Sequence, residues 1–275
     1  MPYVDNDGVS LYYETSGPVG DAPDGTDAET VALVEGLGYG RWMWRWQRER
    51  LVEEGFEVVV WDNRGTGDSD VPEGPYTVAQ MAADLEAVLD AAGVARAHVV
   101  GASMGGMIAQ WYALDYDRAV SLALLCTSHG GEEAIETPEE TRARMFSVPE
   151  DADDREAIRY KMRPAMTDEF RRENGDLIED IVDWRLNSDA PDEAREAQAA
   201  AVAAFDTSDR IDEIELPVLV AHGTDDRVLP VENADLLDGK LPNARLAIFE
   251  GGPHLFFIER ADAVNDRLAE FLSHA

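Results

Sequence analysis

A serine flanked by glycines, an aspartate-containing turn and a few histidines are the residues of this chain whose types and spacing suit nucleophilic catalysis. Ser103 lies in Gly101-Ala102-Ser103-Met104-Gly105, after apolar Ala97-His98-Val99-Val100 and before Gly106–Trp111, which has helical character. A serine between two glycines at such a junction fits a sharp strand–turn–helix corner. That corner holds Oγ clear of the backbone and aims the first N–H groups of the helix at the space beside it. Without a Cβ, Gly101 and Gly105 let the strained turn pack closely. A free hydroxyl is a weak nucleophile, so it requires a histidine base and a carboxylate that orients the base. Both lie downstream, in the order Ser…Asp…His.

In open parallel sheets, functional groups gather on loops at the carboxyl ends of strands. The apolar run Val218–Ala221 is followed by His222-Gly223-Thr224-Asp225-Asp226-Arg227-Val228-Leu229-Pro230, and Leu246–Phe249 by Glu250-Gly251-Gly252-Pro253-His254-Leu255-Phe256. Among the histidines, His98 opens the strand before Ser103, His222 ends a strand as a structural hydrogen-bonder, and His274 is in the terminal tail. His129, in Thr127-Ser128-His129-Gly130-Gly131, is the serious rival. His254 is preferred, because glycines before it permit an irregular loop and apolar neighbours exclude water.

The elements that must position these groups are readable in outline. Tyr3-Val4 and Val9–Tyr13 flank the turn Asn6-Asp7-Gly8 and predict a hairpin. A Gly-, Pro- and Asp-rich surface loop is expected over residues 17–29. Further strands are expected at Val31–Val34, Val58–Trp61, Val99–Gly101, Leu122–Leu125, Val218–Ala221 and Leu246–Phe249. Helical patterns cover Trp44–Glu54, Val78–Ala92, Gly105–Leu114 and Ala261–Ser273. Continuous apolar strands alternating with helices predict an α/β fold: a mostly parallel sheet flanked by helices. Between about Thr127 and Arg210 the rhythm breaks into charge-rich sequence of helical propensity with no strand. Apolar Met145, Phe146, Met162, Met166, Trp184 and Phe205 there need a partner surface. The expected organisation is therefore a core of residues 1–126 and 211–275 with an inserted helical cap, residues 127–210.

Bulk properties narrow the possibilities. The chain has 275 residues, enough for one α/β domain with a full core, and 45% are hydrophobic, which argues against disorder. Asp and Glu number 57 against 23 Lys and Arg, a net charge of −34, and the only lysines are Lys161 and Lys240. Such a surface repels nucleic acid and anionic membranes. It also repels itself, except at molar salt, where the screening length falls to about 3 Å. A protein of a high-salt cytoplasm is expected. No run is long enough to span a bilayer and the first residues lack a signal-peptide pattern. Cys126, the only cysteine, reads as a small buried hydrophobe.

Taken together, Val31–Trp46, Trp61–Asp70, Val99–Gln110, Pro217–Pro230 and Gly251–Glu259 resemble the α/β-hydrolase fold family, in its branch of small esterases, enol-lactonases and cofactor-free haloperoxidases. The resemblance implies Ser103 as nucleophile and His254 as base. It implies Asp226 as the acid, because the family places that residue three positions after the glycine of His-Gly, here Gly223. Asp225 is then a loop-shaping neighbour. The implied oxyanion hole uses the backbone N–H groups of Leu37 and Met104, and Asp62–Ser69 matches a turn that braces the oxyanion loop. The family commonly has His-Gly where this chain has Glu35-Gly36, and the Glu35 side chain is expected to turn away, towards Arg64. Trp42, Leu229 and Leu255 are candidates for the substrate pocket, Trp42 foremost. The activity implied is a serine hydrolase acting on a neutral or apolar carboxylic ester or lactone through an acyl-enzyme, without metal or organic cofactor, as a monomer or homodimer. Peptidase, thioesterase, C–C hydrolase and perhydrolase activities use the same triad, and a non-catalytic ligand-binding protein is the alternative of another class.

Overall fold

The computed structural model describes residues 2–18 and 28–275, so the loop expected over residues 17–29 falls mostly outside them. Eight strands form one sheet in the order β1-β2-β4-β3-β5-β6-β7-β8. They are β1 (Tyr3–Asn6), β2 (Val9–Ser16), β3 (Thr30–Val34), β4 (Glu57–Trp61), β5 (Ala97–Ala102), β6 (Ala119–Leu125), β7 (Val218–Gly223) and β8 (Ala244–Phe249). β1 and β2 form the expected hairpin, β2 also pairs antiparallel with β4, and every later pairing is parallel.

Each expected strand forms, and the burial pattern explains why. β3, β5 and β7 are buried at every position, as strands covered on both faces must be. Successive side chains point to opposite faces. Ala32 and Val34 therefore join one core cluster, while Val31 and Leu33 join the other. Helices α2 (Val78–Ala91), α3 (Met104–Asp115) and α9 (Glu232–Lys240) supply Leu85, Ile108 and Leu237 to the first cluster. Helices α1 (Arg45–Glu53) and α11 (Ala261–Leu272) supply Leu51 and Leu268 to the second. The start of α2 is fixed by a capping box in which Thr77 and Gln80 satisfy each other's backbone N–H. β8 is one of the two edges, opposite β1, and there Leu246 and Ile248 are exposed.

Between β6 and β7 lie five helices: α4 (Glu139–Phe146), α5 (Asp154–Met162), α6 (Asp168–Glu173), α7 (Gly175–Ser188) and α8 (Asp192–Ala203). Among the described residues of this segment the only β pairing is an isolated bridge, Gly130 with Asp206. The segment is tied to loops that follow β3 and β4. Ala190 N–H donates to Gly38 O at 3.0 Å and Gly67 N–H to Ser188 O at 2.8 Å. The Gln198 side chain accepts from Gly38 N–H at 2.7 Å and donates to Arg64 O at 2.9 Å. A short helix, α10 (Phe256–Glu259), follows β8. No helix among the described residues is long and apolar enough to cross a membrane.

Candidate active site

Ser103 forms the corner between β5 and α3. Its backbone has φ 55° and ψ −119°, a region that costs a non-glycine residue on the order of 1–3 kcal/mol. Neighbours hold it there: Ser103 N–H donates to Leu125 O at 2.9 Å, and Thr127 Oγ1 donates to Ser103 O at 2.7 Å. The flanking glycines are required by space. A Cβ on Gly101 would lie 2.2 Å from Gly105 O, and one on Gly105 would lie 2.0 Å from Val34 O.

Asp226, in the loop after β7, is buried and fully engaged. Oδ1 accepts from the N–H groups of Val228 and Leu229 at 2.7 and 2.9 Å. Oδ2 faces His254 Nδ1 at 2.7 Å and His222 Nε2 at 3.1 Å. Burial by itself would raise the carboxyl's pKa, but the two imidazoles outweigh it and hold Asp226 at about 2. Asp225 is exposed and lies 3.4 Å from Thr224 Oγ1.

His254 follows β8 and is buried. Nδ1 is committed to the carboxylate, which leaves Nε2 as the edge available to the cavity that both His254 and Ser103 line. Loops after β5, β7 and β8 thus bring Ser103, Asp226 and His254 to one end of the sheet. The rival His129 bonds Gly130 O through Nδ1 at 2.7 Å and borders neither cavity that Ser103 opens into. His98 is held by Ser121 Oγ at 2.8 Å, and His274 by Glu270 O at 2.7 Å.

The backbone N–H groups of Leu37 and Met104 meet no acceptor among the described residues. For Met104 the cause is its place in the first turn of α3, where N–H groups have no intrahelical partner. Asn63 Nδ2 donates to Glu35 O at 3.3 Å, so the Asp62–Ser69 turn does brace the loop carrying Leu37. Glu35 departs from expectation. Arg64 forks instead onto Asp84, at 2.6 and 2.7 Å. Both Glu35 carboxyl oxygens are buried without a partner. Burial first, and the Asp62 carboxylate second, push its pKa well above the usual carboxylate range, favouring the neutral acid.

Two cavities meet at Ser103. One is narrow, with about 50 Å3 of accessible space, and is lined by Tyr39, Met43, Leu255, Lys161, Arg185 and Arg195 beside Ser103 and His254. The other includes Leu229, Met107, Ile135, Val202 and Phe205, and both share Leu37, Met145 and Val228. Leu229 and Leu255 therefore lie where expected. Trp42 does not. It packs at 5.9 Å between ring centres on Trp184, borders a separate groove with Arg41 and Arg45, and donates Nε1–H to Asp189 Oδ1 at 3.2 Å. The turn over Arg41–Trp44 points Met43 to the cavity and Trp42 away from it. Cys126 also lines the first cavity, and burial raises its thiol pKa well above the ordinary value. Lys161, Arg185 and Arg195 carried no sequence signal beyond their charge. In a charge-rich helical segment they read as solvated surface.

Comparison with known proteins agrees with this architecture. A family model described as alpha/beta hydrolase fold matches residues 29–261. The chain is 33% identical over 265 residues to the "Putative carbamate hydrolase RutD" of Caulobacter sp. (strain K31), covering 96% of each chain. Among solved structures it resembles the enol-lactonase from Burkholderia xenovorans LB400, with a TM-score of 0.85, 28% identity, and coverage of 99% of this chain and 100% of that one. It also resembles Est816, described as an N-acyl homoserine lactone degrading enzyme, with a TM-score of 0.81, 29% identity, and coverage of 98% and 100%. The parallel sheet, the serine corner and these matches together make the chain a member of the α/β-hydrolase fold family.

Proposed function

We propose that the protein is a serine hydrolase that cleaves a carboxylic ester or lactone, with residues 127–210 acting as a cap over the site. The observation that carries this reading is the 2.7 Å contact of His254 Nδ1 with buried Asp226, beside a cavity that His254 and Ser103 both line. Asp226 keeps the Nδ1–H tautomer, so Nε2 is the basic nitrogen. Ser103 Oγ attacks the carbonyl carbon as His254 Nε2 takes its proton. The N–H groups of Leu37 and Met104 receive the charge on the former carbonyl oxygen, each contributing on the order of 3 kcal/mol. His254 returns the proton to the leaving alkoxide, and the acyl group stays on Ser103. Water then attacks the acyl-enzyme, with the proton again passing through His254, and releases the acid and free serine.

A second reading is supported by the relatives named as carbamate hydrolases, which match nearly the whole chain. A carbamate presents the same attacked carbonyl, so the same residues serve. Incubation with a fluorophosphonate at molar salt, followed by peptide mass analysis, tests the nucleophile. Modification of Ser103 that disappears in Ser103→Ala is expected. An unmodified Ser103, with no turnover of aryl esters, lactones or carbamates, would instead mark a binding protein on a hydrolase scaffold.

A further inference from the structure

A chain with two lysines and a net charge of −34 nevertheless directs three cations into the cavity of Ser103 and His254. Lys161 comes from α5, Arg185 from α7 and Arg195 from α8. The Arg185 side chain is 2% exposed and that of Arg195 13%. Their acidic compensation is thin. Asp189 Oδ2 accepts from Arg185 Nε at 2.7 Å and lies 3.6 Å from Arg195 Nη2. Its other oxygen is taken by Trp42. The Lys161 ammonium is 3.9 Å from Asp192, whose side chain is in solvent. Arg185 Nη1 is buried with no partner. Burial, then the repulsion of neighbouring arginines, lowers the pKa of both Lys161 and Arg195.

The oxyanion loop is shaped around this cluster. Gly38, at φ +75°, follows Leu37, and a Cβ there would lie 2.7 Å from Arg195 Nη1. Only glycine lets the guanidinium lie against the backbone at that point. Gln198, one turn beyond Arg195 on α8, holds Gly38 N–H at 2.7 Å. One helix thus places a cation and fixes the loop that carries a candidate oxyanion donor.

Buried like charges with an orphaned donor are costly unless an anion completes them. We propose that this cavity is an anion subsite that receives a carboxylate carried by the substrate, making the preferred substrate a carboxylate-bearing ester or lactone. The inference rests on the reading of Ser103 as nucleophile. A guanidinium matches a carboxylate with two parallel hydrogen bonds, and Arg195 and Lys161, whose side chains keep 13% and 20% of their surface exposed, are the cavity cations that can reach one. The apolar cavity on the other side of Ser103, with Met107, Ile135, Val202, Phe205 and Leu229, receives the remaining, uncharged end. The neutral ester expected from sequence would leave the cluster uncompensated.

The test compares two aryl esters of equal acyl length, 4-nitrophenyl hydrogen glutarate and 4-nitrophenyl pentanoate, at molar salt so that the acidic exterior is screened. Wild type is expected to favour the charged ester at least tenfold in kcat/KM. Arg195→Gln and Lys161→Met should each cut that ratio by about tenfold, mainly through KM, and glutarate should inhibit competitively. Equal turnover of the two esters, with Ser103 still labelled by fluorophosphonate, overturns the subsite and leaves the serine-hydrolase reading standing. If neither ester turns over and Ser103 is not labelled, calorimetric titration with glutarate decides separately. Binding by wild type that is lost in Arg195→Gln supports the subsite, and no binding by wild type overturns it. Should Arg195→Gln fail to fold, the wild-type ester ratio and glutarate titration still decide whether the cavity takes an anion.

Discussion

Two buried charge centres serve the same cavity, Asp226 through His254 and the arginines directly, and the protein compensates them very differently. Asp226 is surrounded by two backbone N–H groups and two imidazoles. Arg185 shares a single carboxylate with Arg195 and keeps an unpaired nitrogen. Both centres lost water on burial, which costs several kcal/mol per ion before pairing. The sheet loops offset this cost internally for Asp226, so that site is complete without a ligand. The helical segment leaves Lys161 and Arg195 less well compensated, and the proposed substrate carboxylate would make up that difference. A self-contained centre suits chemistry common to any acyl group. An incomplete one suits recognition of a particular substrate.

Removing the complete centre should have the largest effect. Ser103→Ala and His254→Ala are each expected to lower kcat by roughly 10³–10⁶-fold, and Asp226→Asn by about 10⁴-fold because the wrong imidazole tautomer is favoured. Steady-state kinetics on an aryl ester measures all three. An Asp226→Asn enzyme within tenfold of wild type would break the comparison, since the compensation of Asp226 would then be structural only. The same residue carries a pH signature. Its folded pKa of about 2 lies below the unfolded value of about 3.9. Its contribution, on the order of 2–3 kcal/mol, is therefore present above about pH 4 and lost as pH falls towards 2. Urea unfolding at pH 6 and pH 3 should show a steeper acid loss in wild type than in Asp226→Asn.

The exterior provides the next largest effect. Surface pairs such as Arg155 with Glu179 at 2.9 Å contribute roughly 0–1 kcal/mol each. They leave the mutual repulsion of an excess of 34 negative charges largely unopposed. Raising KCl from 0.1 to 2 M should raise Tm by about 5–10 °C. The glutarate preference should persist over that range, because buried charges are screened much less. Calorimetry and kinetics on the same salt series sharpen the contrast between exterior and cavity, and a flat or falling Tm would remove acidity from the stability account.

The same contrast governs what could be read from the residues. Strands such as Thr30–Val34 and Val218–Gly223 were legible because burial on both faces demands unbroken apolar runs. Gly101 and Gly105 were legible because the Ser103 corner has no room for a Cβ. The cation cluster was not, since Lys161, Arg185 and Arg195 sit on three different helices whose relative placement no local pattern encodes. Trp42 was misplaced for a related reason: within the Arg41–Trp44 turn, adjacent side chains diverge, and only tertiary packing on Trp184 decides which one faces the cavity. The expected Glu35–Arg64 contact does not form, because Asp84 on α2 captures that guanidinium.

Glu35 supplies the smallest expected change in activity and the clearest check on internal compensation. It is a buried acid beside the oxyanion loop with neither carboxyl oxygen bonded. Its folded pKa is raised well above the ordinary value by burial and then by Asp62. Above about pH 4.3 the unfolded chain releases this proton while the folded chain keeps it. Unfolding then becomes easier by at most about 1.4 kcal/mol per pH unit until the folded group also ionises. Glu35→Gln removes that linkage and keeps the shape. Its stability relative to wild type should be near zero at pH 4 and grow as pH rises above about 5, levelling where the folded acid ionises, as read from Tm or urea midpoints. Turnover should stay within a few-fold, because a neutral acid and an amide both leave the proposed oxyanion donors, the N–H groups of Leu37 and Met104, unopposed. A large fall in kcat with unchanged fold would show that the acid proton itself serves the reaction, making Glu35 a participating acid rather than a silent neighbour.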